Sequence, residues 1–250
     1  MGTDTDTALA VIRRATKRLL ITATGMDDAQ ARQPSRLPGW TRGHVLTHLA
    51  RSADGMVNLL EGARAGVARP AYGPGTARED DIEAGAGRPA AALAADVRSS
   101  AARFADVVAA MPEEAWSRPV RAPIGVFPAS GVLSGRLTEV ELHHVDLDAG
   151  YEPGQWTPEF VSEALLRVAD AFTQRPGVPR CRLHPDGESV SLWIGPPPVA
   201  GVAEPGDDGN GPVTVVGPAW ALLAWLTGRG GTAALSTPAG RDLPELPPLG

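Results

Sequence analysis

The sequence predicts an α+β protein, with a four-helix bundle over residues 1–152 and a small α+β domain over residues 153–250. Three observations lead there. Four stretches before residue 150 carry apolar side chains at helical spacing. After Tyr151 the runs become short and alternate between strand-like and helix-like patterns. Between the two regions, Glu152-Pro153-Gly154-Gln155-Trp156 has the composition of a linker.

The first helix spans about residues 5–24, where Leu9, Ile12, Leu19 and Ile21 are apolar and basic residues fall between them. Pro34, Pro38 and Gly39 break the next segment. Thr41 is placed to cap a second, long helix reaching Ala65, with Val45, Leu46, Leu49, Met56, Val57 and Leu60 on its apolar face. Residues 66–89 are rich in Gly and Pro and read as a loop, either a lid or a plain connection. A third helix covers about 90–110. Pro112, Pro119, Pro123 and Pro128 keep the following stretch irregular. The fourth helix runs from about 131 to 149, with Gly150 as its C-cap.

In the second domain, Thr157-Pro158-Glu159 starts a helix that reaches about Phe172. Two short runs flank Asp186-Gly187, a hairpin signal. Residues 212–217 read as a third strand, 218–229 as a helix, 232–236 as a last strand and 243–250 as a loose tail. No internal repeat is visible.

Composition narrows the function. Hydrophobic residues make up 43% and charged residues 21%, which suits a globular chain, while aromatics at 5% leave the core to Ala, Leu and Val. The net charge of −6, with no basic run, argues against nucleic-acid or anionic-membrane partners. Cys181 is the only cysteine, so no intramolecular disulfide can form and a reducing compartment is expected. The N-terminal segment lacks a signal-peptide pattern and no apolar run is long enough to span a bilayer, so a cytoplasmic protein is expected.

The chemistry concentrates in the histidines. There are five, and His44, His48, His143 and His144 fall on the second and fourth predicted helices. His44 and His48 share a face, as do Glu139 and His143, because residues four apart align on a helix. His143 and His144 diverge by about 100 degrees and cannot both aim at one point. Two His and a carboxylate with an open position form a recognised catalytic zinc set, and His48, Glu139 and His143 supply it. His44 is a second-choice ligand, and Glu141 with His144 is a competing pair on another face. The bland alternative is that these side chains cap or bridge helices through ordinary hydrogen bonds.

The segments LPGWTRGHVLTHLARSADG and RLTEVELHHVDLDAGY resemble the mycothiol-dependent maleylpyruvate isomerase family, within the wider group that has a DinB-type metal-binding four-helix domain. The later AWALLAWLTGR is similar to that family's C-terminal domain, so the likeness spans most of the chain. By that resemblance the first metal histidine is His48, and the Glu and second His are Glu139 and His143. The resemblance implies a divalent metal, zinc by its donor set, with mycothiol as thiol cofactor or cosubstrate and a small-molecule electrophile as partner. It also implies an important arginine in the C-terminal domain, for which Arg229 is the nearest candidate.

A free thiol is only a few per cent ionised at neutral pH, and coordination to a metal removes that limit. In an isomerase the thiolate adds to a cis double bond conjugated with a carbonyl, the new single bond rotates, and loss of thiolate leaves the trans product. Negative charge gathers on an enolate oxygen, which calls for a cation; Arg136, one turn before Glu139, and Arg229 are candidates. A transferase, in natural-product biosynthesis or detoxification, would use the same thiolate without the elimination. A non-catalytic, metal-binding helical regulator is the rival from another class. Asp146 is spaced either to orient His143 or to face solvent, Trp40 fits a structural role at the helix entry, and neither His184 nor Cys181 is expected to be catalytic.

Overall fold

The computed structural model describes residues 2–123, 125–196, 211–238 and 240–247. It divides into two units, Met1–Tyr151 and Glu152–Gly250. The tail expected at 243–250 lies partly outside the described residues, and the described part has no regular structure.

The first unit contains α1 (Gly2–Thr24), the single turn α2 (Asp28–Ala31), α3 (Arg42–Ala65), α4 (Ala77–Ala86), α5 (Ala90–Ala109), the hairpin β1 (Pro119–Ala122) and β2 (Gly125–Pro128), and α6 (Gly131–Asp146). Helices α1, α3, α5 and α6 make the bundle. α1 and α3 each pack against both α5 and α6, which leaves α5 and α6 facing along the diagonal. Leu19, Leu46, Leu49, Leu60, Leu93 and Phe104 are fully buried between them.

Local chemistry sets the start of α3. The Thr41 hydroxyl accepts the His44 backbone N–H, and the Thr41 N–H donates to His44 Nδ1 at 3.2 Å, a reciprocal cap that satisfies two terminal donors. Gly66, with φ 71°, ends the helix in the left-handed region that glycine enters without strain.

Three expectations need correction in this unit. The loop at 66–89 contains α4, which packs on α3 and buries Ile82 and Ala86. Its hydrophobic signal is weak because the close approach is made by glycines: a Cβ on Gly85 would meet Thr47 Cγ2 at 2.5 Å, and one on Gly43 would overlap the Ala86 carbonyl. The stretch expected to be irregular holds the β1–β2 hairpin, in which Pro119 pairs with Pro128 at the open ends, where missing N–H donors interrupt little. The last bundle helix stops at Asp146 with Leu147 as its cap, and Asp148 (φ 52°) and Gly150 (φ 87°) turn the chain away.

The second unit begins with a 3-10 turn at Pro153–Gln155, then α7 (Pro158–Thr173), β3 (Cys181–Pro185), β4 (Leu192–Ile194), β5 (Val213–Gly217) and α8 (Ala219–Leu226). The sheet order is β4-β3-β5, antiparallel between β3 and β4 and parallel between β3 and β5. α7 packs on β4 and α8. The last expected strand is instead a 3-10 turn at Thr232–Ala234, and only Ser236 bridges to Val216. Gly230 and Gly231, both at positive φ, coil the chain too tightly there for an extended run. Among the described residues no helix is long and apolar enough to cross a membrane.

Candidate metal centre

The α3–α6 seam brings three predicted ligands together. His48 lies in the second turn of α3, and Glu139 and His143 lie one turn apart on α6. One ligand atom from each falls within 4.8 Å of the others. His48 Nε2 is 2.8 Å from Glu139 Oε2, and His143 Nε2 is 3.7 Å from the same oxygen. The two imidazoles stand edge to face, 4.5 Å between centroids.

The decisive detail is alignment. His48 Nε2 and Glu139 Oε2 are both buried, yet neither forms a hydrogen bond, so the 2.8 Å separation is proximity without donor–acceptor geometry. Orphaned buried atoms of this kind are rare because each forfeits its hydration. Two imidazole nitrogens and a carboxylate oxygen converging on one point, without bonding to each other, fit a divalent ion.

The surroundings hold the ligands in place. His143 Nδ1 lies 2.8 Å from Asp146 Oδ2, and the carboxylate is buried, which keeps Nε2 facing the seam. His48 Nδ1 lies 3.0 Å from Arg78 Nη2. A guanidinium only donates, so Nδ1 is the acceptor. Arg78 in turn sits over the Tyr72 ring at 5.4 Å, and Gly55 leaves the gap that ring occupies. Trp40 packs against His44 and His48, with centroids 6.1 and 5.6 Å away.

Charge follows geometry. Burial lowers the His48 pKa, and the charges of His143 and Arg78 add to that shift against the pull of Glu139. Burial would raise the Glu139 carboxyl, but the close approach of His48 and the charges of both imidazoles outweigh it and hold it well below the usual carboxylate range. Ser52 contributes in the same direction. The site therefore presents an ionised carboxylate beside an imidazole that burial keeps neutral.

The other candidates separate. His44 turns to Thr41 and Glu83, its Nε2 3.2 Å from the latter carboxylate, and does not join the cluster. Glu141 and His144 face α1: Arg18 donates to Glu141 at 2.9 Å, the Tyr151 hydroxyl donates to it at 2.7 Å, and His144 Nε2 meets the Thr22 hydroxyl at 2.7 Å. Burial and the Arg18 charge push His144 down to about 3, so it remains neutral. Arg136 is fully buried and donates to the Leu49 carbonyl at 3.0 Å. Arg229, in the second unit, donates to the Thr227 carbonyl at 2.7 Å. His184 pairs with the Ser191 hydroxyl, and burial pushes the Cys181 thiol up to about 11.

Sequence reasoning missed Ser52, Tyr72 and Arg78. Ser52 follows His48 by four residues and shares its helix face, a signal that was available. Tyr72 and Arg78 lie in a Gly/Pro-rich stretch with no periodicity to mark them.

Residues 12–148 match the family description "Mycothiol maleylpyruvate isomerase N-terminal domain". The chain belongs to the mycothiol-dependent maleylpyruvate isomerase family. Its fold is that of a crystal structure of the mycothiol-dependent maleylpyruvate isomerase, with a TM-score of 0.86 and 26% identity over 98% of this chain and 96% of that one. A histidine-to-alanine mutant of a mycothiol-dependent maleylpyruvate isomerase, also solved, matches with the same TM-score and 25% identity over the same shares. No curated protein matches the chain. The structural likeness thus extends well past the helices that carry His48, Glu139 and His143 into the second unit.

Proposed function

We propose that this member of the family is a metal-dependent, mycothiol-dependent enzyme that isomerises a maleylpyruvate-type cis double bond. The observation that supports it most is the convergence of His48, Glu139 and His143, with His48 Nε2 and Glu139 Oε2 buried and unbonded. A divalent ion held there, zinc by its donor set, would keep the mycothiol sulfur as thiolate at neutral pH.

The chain's own residues do the rest. His48, His143 and Glu139 would hold the ion through three ligand atoms, and Asp146 fixes the His143 ring. Arg136, buried one turn before Glu139, places a positive charge behind that carboxylate. Arg136 and Arg229 are the proposed cations for charge developing on the substrate's enolate oxygen. Arg78 and Tyr72 wall the His48 side with a guanidinium and a hydroxyl that can receive polar groups of either partner. The single buried cysteine suits a reducing cytoplasm.

Metal analysis of the purified protein and its His48→Ala variant tests the ligand set; unchanged ion content refutes it. Mass analysis after incubation with mycothiol and maleylpyruvate tests the reaction. Catalytic formation of the trans isomer supports the proposal. Accumulation of stable thiol adducts, from this substrate or from generic electrophiles, assigns an S-transferase instead, and metal binding without any turnover assigns a binding module.

A further inference from the structure

Two interior glycines mark a track along α3. Glycine weakens the middle of a helix, so Gly55 and Gly62 call for a reason. They follow His48 at steps of seven residues, which puts all three near one line along the helix. A Cβ on Gly62 would meet the Val67 carbonyl at 2.8 Å and Arg69 Cβ at 3.0 Å. One on Gly55 would meet Tyr72 Cε1 at 2.8 Å and Cζ at 3.0 Å. The chain after α3 therefore runs back along that line towards His48, pressed closer than side chains there would allow. Asn58 Nδ2 donates to the Ala71 carbonyl at 3.0 Å and pins the backbone just before Tyr72.

What the track delivers is a phenol. Cζ, which carries the hydroxyl, rests on Gly55. Arg78 covers the ring at 5.4 Å, and its Nη2 lies 3.0 Å from His48 Nδ1. The hydroxyl sits beside Ser52 and Arg78 and feels the Glu139 charge. One neighbour is a hydroxyl and the other a guanidinium that only donates, so neither is a strong acceptor. Among the described residues no carboxylate or backbone carbonyl takes the Tyr72 hydrogen. The only other tyrosine, Tyr151, spends its hydroxyl on Glu141. Tyr72 is half-buried and can touch a substrate, whereas Arg136 has no exposed surface and reaches one only through its field.

We propose that Tyr72 is a catalytic residue of the isomerisation, its hydroxyl donating a hydrogen bond to the substrate oxygen that becomes an enolate. This rests on the isomerase reading above. When the mycothiol sulfur bonds to the alkene carbon, the π pair moves onto the conjugated carbonyl oxygen. After rotation the pair returns and the carbon–sulfur bond breaks. Tyr72 keeps its proton throughout, and its hydrogen bond is strongest while that oxygen carries charge.

Tyr72→Phe removes the hydroxyl and keeps the ring that packs on Gly55 and under Arg78. Its kcat for maleylpyruvate falls on the order of a hundredfold, with KM changed less than about threefold. Ion content and thermal midpoint stay at wild-type values. Gly55→Ala, which dislodges the ring, also lowers kcat, and adding it to Tyr72→Phe costs little more. Circular dichroism establishes folding; if Gly55→Ala does not fold, Tyr72→Phe decides. Binding gives a readout without turnover. The nitronate form of 3-nitropropionate carries enolate-like charged oxygens, and by isothermal titration it binds wild type at least about tenfold tighter than Tyr72→Phe, while propionate binds both alike. The proposal is overturned if kcat falls less than about threefold, if the loss lies in KM or ion content, or if the nitronate does not distinguish the two proteins. If the wild type does not isomerise maleylpyruvate, the isomerase reading falls, and the nitronate alone decides whether Tyr72 receives an enolate-like oxygen.

Discussion

Asp146 meets the candidate metal centre through His143 Nδ1, and that contact fixes which nitrogen of the ring looks into the seam. Asp146→Asn keeps the size and removes the charge, so the ring loses its tautomeric bias. Metal affinity should fall by about 10- to 100-fold, read by competition with a chromophoric chelator, with helicity unchanged. His144→Ala should leave that affinity alone, since its partners are Thr22 and Tyr151. At this scale the sequence was informative where helical spacing forces proximity: His143 follows Glu139 by four residues and Asp146 follows His143 by three. It was silent on Arg78, because nothing in a Gly/Pro-rich segment says which helix that segment docks against.

Helix α4 shows how an element can be held by what is missing. Gly43 and Gly85 let two backbones approach more closely than side chains would allow. Gly43→Ala puts a Cβ against the Ala86 carbonyl, and backbone cannot step aside as a flexible side chain can. The expected loss is about 1–3 kcal/mol, measured as a lower urea midpoint with unchanged slope. The helices of the bundle were legible because 16 to 24 residues of periodic apolar pattern average out local noise. α4 and the β1–β2 hairpin were not, since their ten and four-plus-four residues carry few apolar positions and many Gly or Pro.

For the whole molecule, α3 and α6 lie 139 − 48 = 91 residues apart in sequence at the ligands, so an ion bound there links distant parts of the first unit. Binding to the folded state alone adds about 2.7 kcal/mol when free metal is a hundredfold above Kd. A strong chelator should therefore lower Tm in the wild type and not in His48→Ala, by scanning calorimetry. The second unit carries its own titration. Cys181 is held up at about 11 by burial, against an ordinary value of 9.0. Its contribution to stability is present below pH 9 and is lost as pH rises from there towards 11, because the unfolded thiol ionises first. The loss is roughly 2–3 kcal/mol, seen as a steeper alkaline decline in the wild type than in Cys181→Ala. The division into helical and mixed regions was legible from the change in pattern after Tyr151. The parallel pairing of β5 with β3 was not, because register between distant segments leaves no local mark.

The Arg78–His48 contact has one more implication, which concerns who carries a single proton. While Nδ1 receives from Arg78, a neutral ring keeps its hydrogen on Nε2, the atom that points into the triad. Coordination through Nε2 would exchange those assignments and set N–H against N–H across a contact that is now 3.0 Å. Arg78 would then compete with an ion for one imidazole, and loading would loosen the contact that α4 makes through it. Arg78→Ala should tighten metal uptake, and amide exchange over Ala77–Ala86 should quicken when metal is added to the wild type.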